Sequence, residues 1–136
     1  MQRVEPNGLF ALDLTDDERR LLERGTWEWG GPAYGTEALA VAMGFTDYDD
    51  FVHALPRLRV ALEQGEPMSA LDWIRLVLAT EIAFVSDFIG SGTDWSVTSG
   101  RSDQESIAVL RGLQRKIRRS GALNDAINSW LVPRRA

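Results

Sequence analysis

A chain of 136 residues, 44% hydrophobic and 26% charged, has the size and composition of one soluble globular domain with a buried core. The absence of cysteine excludes disulfides, thiolate zinc sites and thiol catalysis, and a single histidine, His53, argues against a histidine metal centre or a Ser-His-Asp triad. The net charge of −5 conceals a gradient: residues 1–100 hold 17 acidic against 7 basic side chains, and residues 101–136 hold 8 basic against 3 acidic.

Such a gradient predicts that the basic C-terminal part folds back on the acidic remainder. The longest apolar stretch is interrupted by Glu81 and Asp87, so no membrane span is expected. The first residues lack the basic region and apolar run of a secretory signal, which points to the cytoplasm. Every basic residue except Lys116 is arginine, a bias that suggests a GC-rich bacterial genome.

In chain order, Thr15-Asp-Asp-Glu18 is a capping box that opens a helix to about Arg24, with Gly25 as its stop. The segment 25–35, GTWEWGGPAYG, is a glycine-rich aromatic loop. Thr36 caps a short helix, TEALAVAM, ended by Gly44. Asp47 opens DYDDFVHAL, and Pro56 is read as the first turn of a separate helix running to Gly65. Ser69 caps a long central helix over about 69–89. The next segment, to Arg101, is a loop with room for a short strand at Trp95-Ser-Val97. Ser102-Asp-Gln-Glu105 is a second capping box, opening a helix to about Arg119, and a weaker amphipathic stretch occupies 123–131. With strand signals nearly absent, the expectation is an all-α, irregular bundle of five to seven helices spanning 1–136 as one domain, its tail 120–136 least defined.

Glu81 carries the sharpest expectation. At helical spacing it falls among Ile74, Val77, Phe84, Val85 and Phe88, inside the apolar stripe of the central helix. A carboxylate there needs a cation or hydrogen-bond donors, because an isolated buried charge costs several kcal/mol. Arg111, Arg115 and Arg118 form a stripe beside the apolar seam of the 102–119 helix, so Arg111 or Arg115 is the expected partner in a buried ion pair. The functional alternative is a pocket for a small molecule, or a catalytic pocket, built on Glu81 with the aromatic loops.

Trp27, Glu28, Trp29 and Tyr34 in the glycine loop, with Asp94 and Trp95 further on, are candidates for an aromatic binding surface. Trp27 and Trp29 flank Glu28, and an alternating in-and-out pattern would make the loop a lid on the core instead. The run Gly90-Ser-Gly-Thr-Asp-Trp95 follows a helix and has no Lys or Arg, which argues against phosphate binding. Asp50-Phe-Val-His53 is one acid-imidazole pairing where a bundle di-iron site needs two Glu-x-x-His motifs and further carboxylates, so no metal is expected. No cofactor and no catalytic residue is assigned.

Ala42-Met43-Gly44-Phe45, followed by Phe51, Leu55, Arg57 and Arg59, resembles the second helix-turn-helix of AraC-type regulators. The resemblance implies DNA binding, with the helix after Gly44-Phe45, residues 46–53, entering the major groove. That helix carries Asp47, Asp49 and Asp50 and no Arg or Lys, and three carboxylates facing phosphates are repelled. The same three acids suit a basic protein surface. The expectation is therefore a non-enzymatic protein-interaction module with an acidic face at Asp47, Asp49 and Asp50, of which immunity proteins that neutralise basic toxin domains are one version.

Overall fold

The computed structural model of the chain describes residues 3–4, 8–31 and 33–128, and the predicted stretch 123–131 lies partly outside them. Among the described residues, seven helices follow a two-stranded hairpin, Arg3–Val4 (β1) and Phe10–Ala11 (β2), in antiparallel register Val4 to Phe10. Phe10 also exchanges backbone bonds with Met68 at 2.7 and 3.1 Å, and its carbonyl accepts the Trp73 indole N–H at 2.8 Å. The hairpin is thus fastened to the body of the bundle.

The first helix, Asp16–Trp27 (α1), has the predicted capping box, with Thr15 and Glu18 bonded reciprocally. It runs through Gly25 instead of stopping there and tightens into a 3₁₀ turn at Glu28–Gly30. Gly25 is buried, and a Cβ at that position would overlap the side chain of Thr80, so the glycine serves helix packing and not termination. Glu37–Ala42 (α2) is capped by Thr36 as expected, and Gly44 takes a φ of 99° behind it.

Tyr48–Gln64 (α3) is one helix, not two, with Pro56 inside it. Pro56 lacks the N–H that would reach the Val52 carbonyl. Both residues are exposed, so water can serve that carbonyl, while Phe51, Ala54, Leu55, Leu58 and Leu62 bury the opposite face. Gly65 ends the helix in the left-handed conformation, at φ 66°.

Ala70–Val85 (α4) is capped by Ser69 and is shorter than its apolar pattern predicts. Ser86 leaves the helix with ψ 120°, and its hydroxyl accepts the amides of Phe88 and Ile89 at 3.3 and 3.1 Å. The segment read as a loop with room for a short strand at 95–97 is helical there: a 3₁₀ turn at Gly92–Asp94 leads into Trp95–Ser99 (α5), which buries Trp95 completely. Asp103–Ser120 (α6) opens on the Ser102-Glu105 capping box, and Ala122–Ala126 (α7) closes the described bundle.

Helix α1 packs on α3, α4 and α6, and α4 and α6 both pack on α7. The larger core cluster joins Leu22, Met43, Leu58, Trp73, Leu76 and Leu113; a smaller one joins Leu21, Phe84, Trp95 and Leu110. The charge gradient is used between α1 and the chain from Arg101 into α6. Arg101 reaches Asp17 at 2.6 Å, and Lys116 pairs with Glu18, which is buried.

Candidate functional site

The arrangement around Glu81 differs from the ion pair expected of it. Because α4 ends at Val85, the apolar stripe around Glu81 opens: Val85 is 66% and Phe88 93% exposed. Glu81 is half-buried, and among the described residues no arginine lies within ion-pair distance of it. Gln114 of α6 donates its amide to Glu81 Oε2 at 3.1 Å, and Arg111 in turn donates to Gln114 Oε1 at 2.9 Å. The guanidinium therefore acts through an amide relay. Burial pushes the Glu81 carboxyl above the ordinary carboxylate range, while the Gln114 bond and the charge of Arg111 pull it back.

Glu81 lines a groove of about 510 Å³ between α4, α6 and α7. Ile74, Val77, Leu78, Ile117 and Leu123 make its apolar floor, and Arg111, Arg115 and Arg118 stand exposed along the α6 side. The arginine stripe thus faces solvent at the groove edge. None of Trp27, Trp29 and Trp95 lines it, so the expected combination of Glu81 with the aromatic loops in one pocket does not form.

The fully buried carboxylate is Glu28. Its Oε1 accepts the Thr98 hydroxyl and lies 3.5 Å from Arg24 Nε, one turn back on α1, and its side chain is wholly enclosed. The Glu28 Oε2, the Arg24 Nε and the Ser91 hydroxyl are buried without a protein hydrogen-bond partner. The two tryptophans divide: Trp29 packs on the core as a lid would, Glu28 points in, and Trp27 points out. Arg59 covers the exposed Trp27, its guanidinium carbon 3.5 Å from the ring centre, and anchors to Thr26 Oγ1 at 2.9 Å. Trp29 is half-buried with its N–H on the Ala79 carbonyl at 3.1 Å, and Trp95 donates to Ser106 at 2.8 Å. Trp27, Trp29 and Trp95 are all engaged within the fold.

The two most exposed aromatic side chains, Tyr34 and Phe88, lie on two joined segments. Tyr34 donates its amide to the Ile89 carbonyl at 2.8 Å, which ties the glycine loop to the turn after α4. Beside Tyr34, a Cβ at Gly35 would stand 2.8 Å from the Tyr48 ring at the start of α3. Tyr34, Tyr48 and Phe88 are exposed. The turn bearing Phe88 is closely constrained, since a Cβ at Gly90 would overlap the Ile82 carbonyl and the Asp87 carboxylate accepts the Thr93 amide at 2.9 Å. Sequence reasoning misses Phe88 as a surface group by extending α4 too far; Ser86 followed by Gly90 is the signal that ends the helix.

Exposed carboxylates at Glu37, Asp47, Asp49 and Asp87 belong to the segments that carry these rings. Asp47 caps α3 by accepting the Asp50 amide at 2.7 Å, and Asp50 accepts the Thr46 amide at 2.9 Å. That backbone bond, with the charge of Arg75, holds the Asp50 carboxyl below the ordinary range. Asp94 is exposed and separate from the enclosed Glu28. His53 turns its Nδ1 to the Asp49 carbonyl at 2.7 Å, not to Asp50, and no group of three or more acidic or imidazole side chains among the described residues is arranged to hold a metal. No described helix is long and apolar enough to cross a membrane. No family model, curated protein or solved structure matches the chain.

Proposed function

We propose that this chain is a non-enzymatic, cytoplasmic protein-binding module that takes a basic partner on the face formed by Tyr34, Tyr48 and Phe88 with the acids Glu37, Asp47, Asp49 and Asp87. The observation that carries the reading is Phe88, 93% exposed on a turn whose backbone is fixed by Ser86, Gly90 and Asp87. A large apolar ring on a backbone that is already fixed loses only its own rotamer freedom on docking and is the type of group that anchors an interface. The acids around it steer a positively charged surface and set its orientation more than its affinity. Inhibition of a basic toxin domain, as an immunity protein performs it, is one physiological form of this chemistry.

The test uses Phe88→Ala and Asp49→Lys in the full chain, against a panel of basic protein domains in a binding assay. Phe88→Ala is expected to melt with the wild type and Asp49→Lys within a few degrees of it, since reversing a first-turn acid of α3 costs about 1 kcal/mol or less. Phe88→Ala should weaken capture on the order of tenfold or more, and Asp49→Lys should weaken it most at low salt. Equal capture by all three chains would remove this face as the binding site.

A further inference from the structure

The groove between α4, α6 and α7 lies apart from the acid-aromatic face, and its charge pattern runs against that of the molecule. In a chain of net charge −5, most described arginines have a partner: Arg24 has Glu28, Arg57 has Asp72, Arg75 has Asp72 and Asp50, Arg101 has Asp17, and Arg59 has the Trp27 ring. Arg115 and Arg118 make no ion pair or side-chain hydrogen bond with a described residue, although Glu81 lines the same groove. The reason is the relay: Gln114 serves Glu81 and occupies Arg111, which leaves two guanidiniums beside an apolar floor. The α6 dipole accounts for basic residues in the last turn, Arg118 and Arg119, but not for Arg115 one turn earlier.

We propose that this groove binds a small amphipathic anion, a carboxylate carried on an aliphatic chain, with the carboxylate between Arg115 and Arg118 and the chain on Ile74, Val77, Leu78 and Leu123. The volume is in the range of small-molecule sites, and the lining is apolar with a few convergent polar groups, as such sites require. Arginine offers a planar donor fork that matches a carboxylate. Gln114 keeps Glu81 bonded to the protein, so Glu81 opposes the anion only through space.

Titration calorimetry with octanoate, butanoate, 1-octanol and octylamine separates the two halves of this recognition. Octanoate should bind, with butanoate at least tenfold weaker because a buried methylene contributes about 0.8 kcal/mol. The alcohol and the amine should each be at least tenfold weaker than octanoate. Arg115→Ala with Arg118→Ala should remove the preference for octanoate over octanol while leaving octanol binding unchanged, a result a generally damaged fold would not give. Glu81→Gln should tighten octanoate binding by relieving repulsion. Equal affinity for the acid, alcohol and amine would overturn the proposal. So would the absence of octanoate binding, or a dimer of the wild-type chain in sedimentation that Arg115→Glu breaks and octanoate does not affect.

Discussion

Glu28 and Glu81 are two carboxylates on packed helical segments whose surroundings have opposite logic. Glu28 sits between two tryptophans in a glycine loop, yet it is enclosed, held by Thr98 and faced by Arg24. Glu81 sits in an apolar helix, yet it opens onto a groove and is bonded by a neutral amide. The hydrophobicity of a residue's neighbours in sequence therefore does not set its burial. What closes over it does, and for Glu28 that includes a hydroxyl 70 positions away.

Removal of each carboxylate tests the contrast. Glu28→Ala is expected to cost about 1 to 3 kcal/mol, because it leaves the buried Nε of Arg24 facing an empty space and the Thr98 hydroxyl with only the Asp94 and Trp95 carbonyls, at 3.2 and 3.4 Å. Urea denaturation should show the midpoint falling with the slope unchanged. A loss below about 1 kcal/mol would mean that solvent already reaches the site.

Gly25→Ala comes next, at about 1 to 3 kcal/mol, since the added methyl drives α1 off Thr80. Measured by the same denaturation, it asks whether the Glu28 enclosure depends on how closely α1 lies on α4. If it does, Gly25→Ala and Glu28→Ala together will cost less than the sum of the two.

The smallest effect belongs to Glu81. Its pKa is raised in the folded chain, so over the interval between the unfolded and the folded pKa the native state binds more protons, and stability falls as pH rises through it. Glu81→Gln should therefore be neutral or mildly stabilising at pH 7, by less than about 1 kcal/mol. Below the unfolded value that difference should vanish. A marked loss of melting temperature at pH 7 would restore the direct ion pair that the relay replaces.

Much of the helical scaffold is legible because its signals are local. The capping boxes at Thr15 and Ser102, the caps at Thr36, Asp47 and Ser69, and the left-handed stop at Gly65 each need only a few neighbouring residues. The misreadings share a different cause. Gly25 looks like a stop until Thr80 is beside it, and Pro56 looks like a boundary until the apolar face of α3 continues across it. The segment after Gly90 has the local pattern of a loop with a short strand, and it is helical because that places the Trp95 indole against Phe84 and Ser106.

The candidate site is legible only in part. The sequence marks Glu81 as a side chain in need of a donor and sets an arginine stripe on the helix that faces it, but a glutamine, not an arginine, makes the bond. The exposure of Phe88 depends on where α4 ends, and the apolar pattern runs past the serine that ends it.

The close approach of Gly25 to Thr80 also constrains how this chain can vary. Because the two positions share one small volume, a gain in bulk at Gly25 is admissible only with a loss at Thr80 and a small shift of the helix, as in Gly25→Ala combined with Thr80→Ala, which removes the hydroxyl nearest the added methyl. In sequences that keep this architecture the pair should covary, with a small residue always retained on one side. That coupled pattern would identify distant members of the same fold where overall similarity has faded.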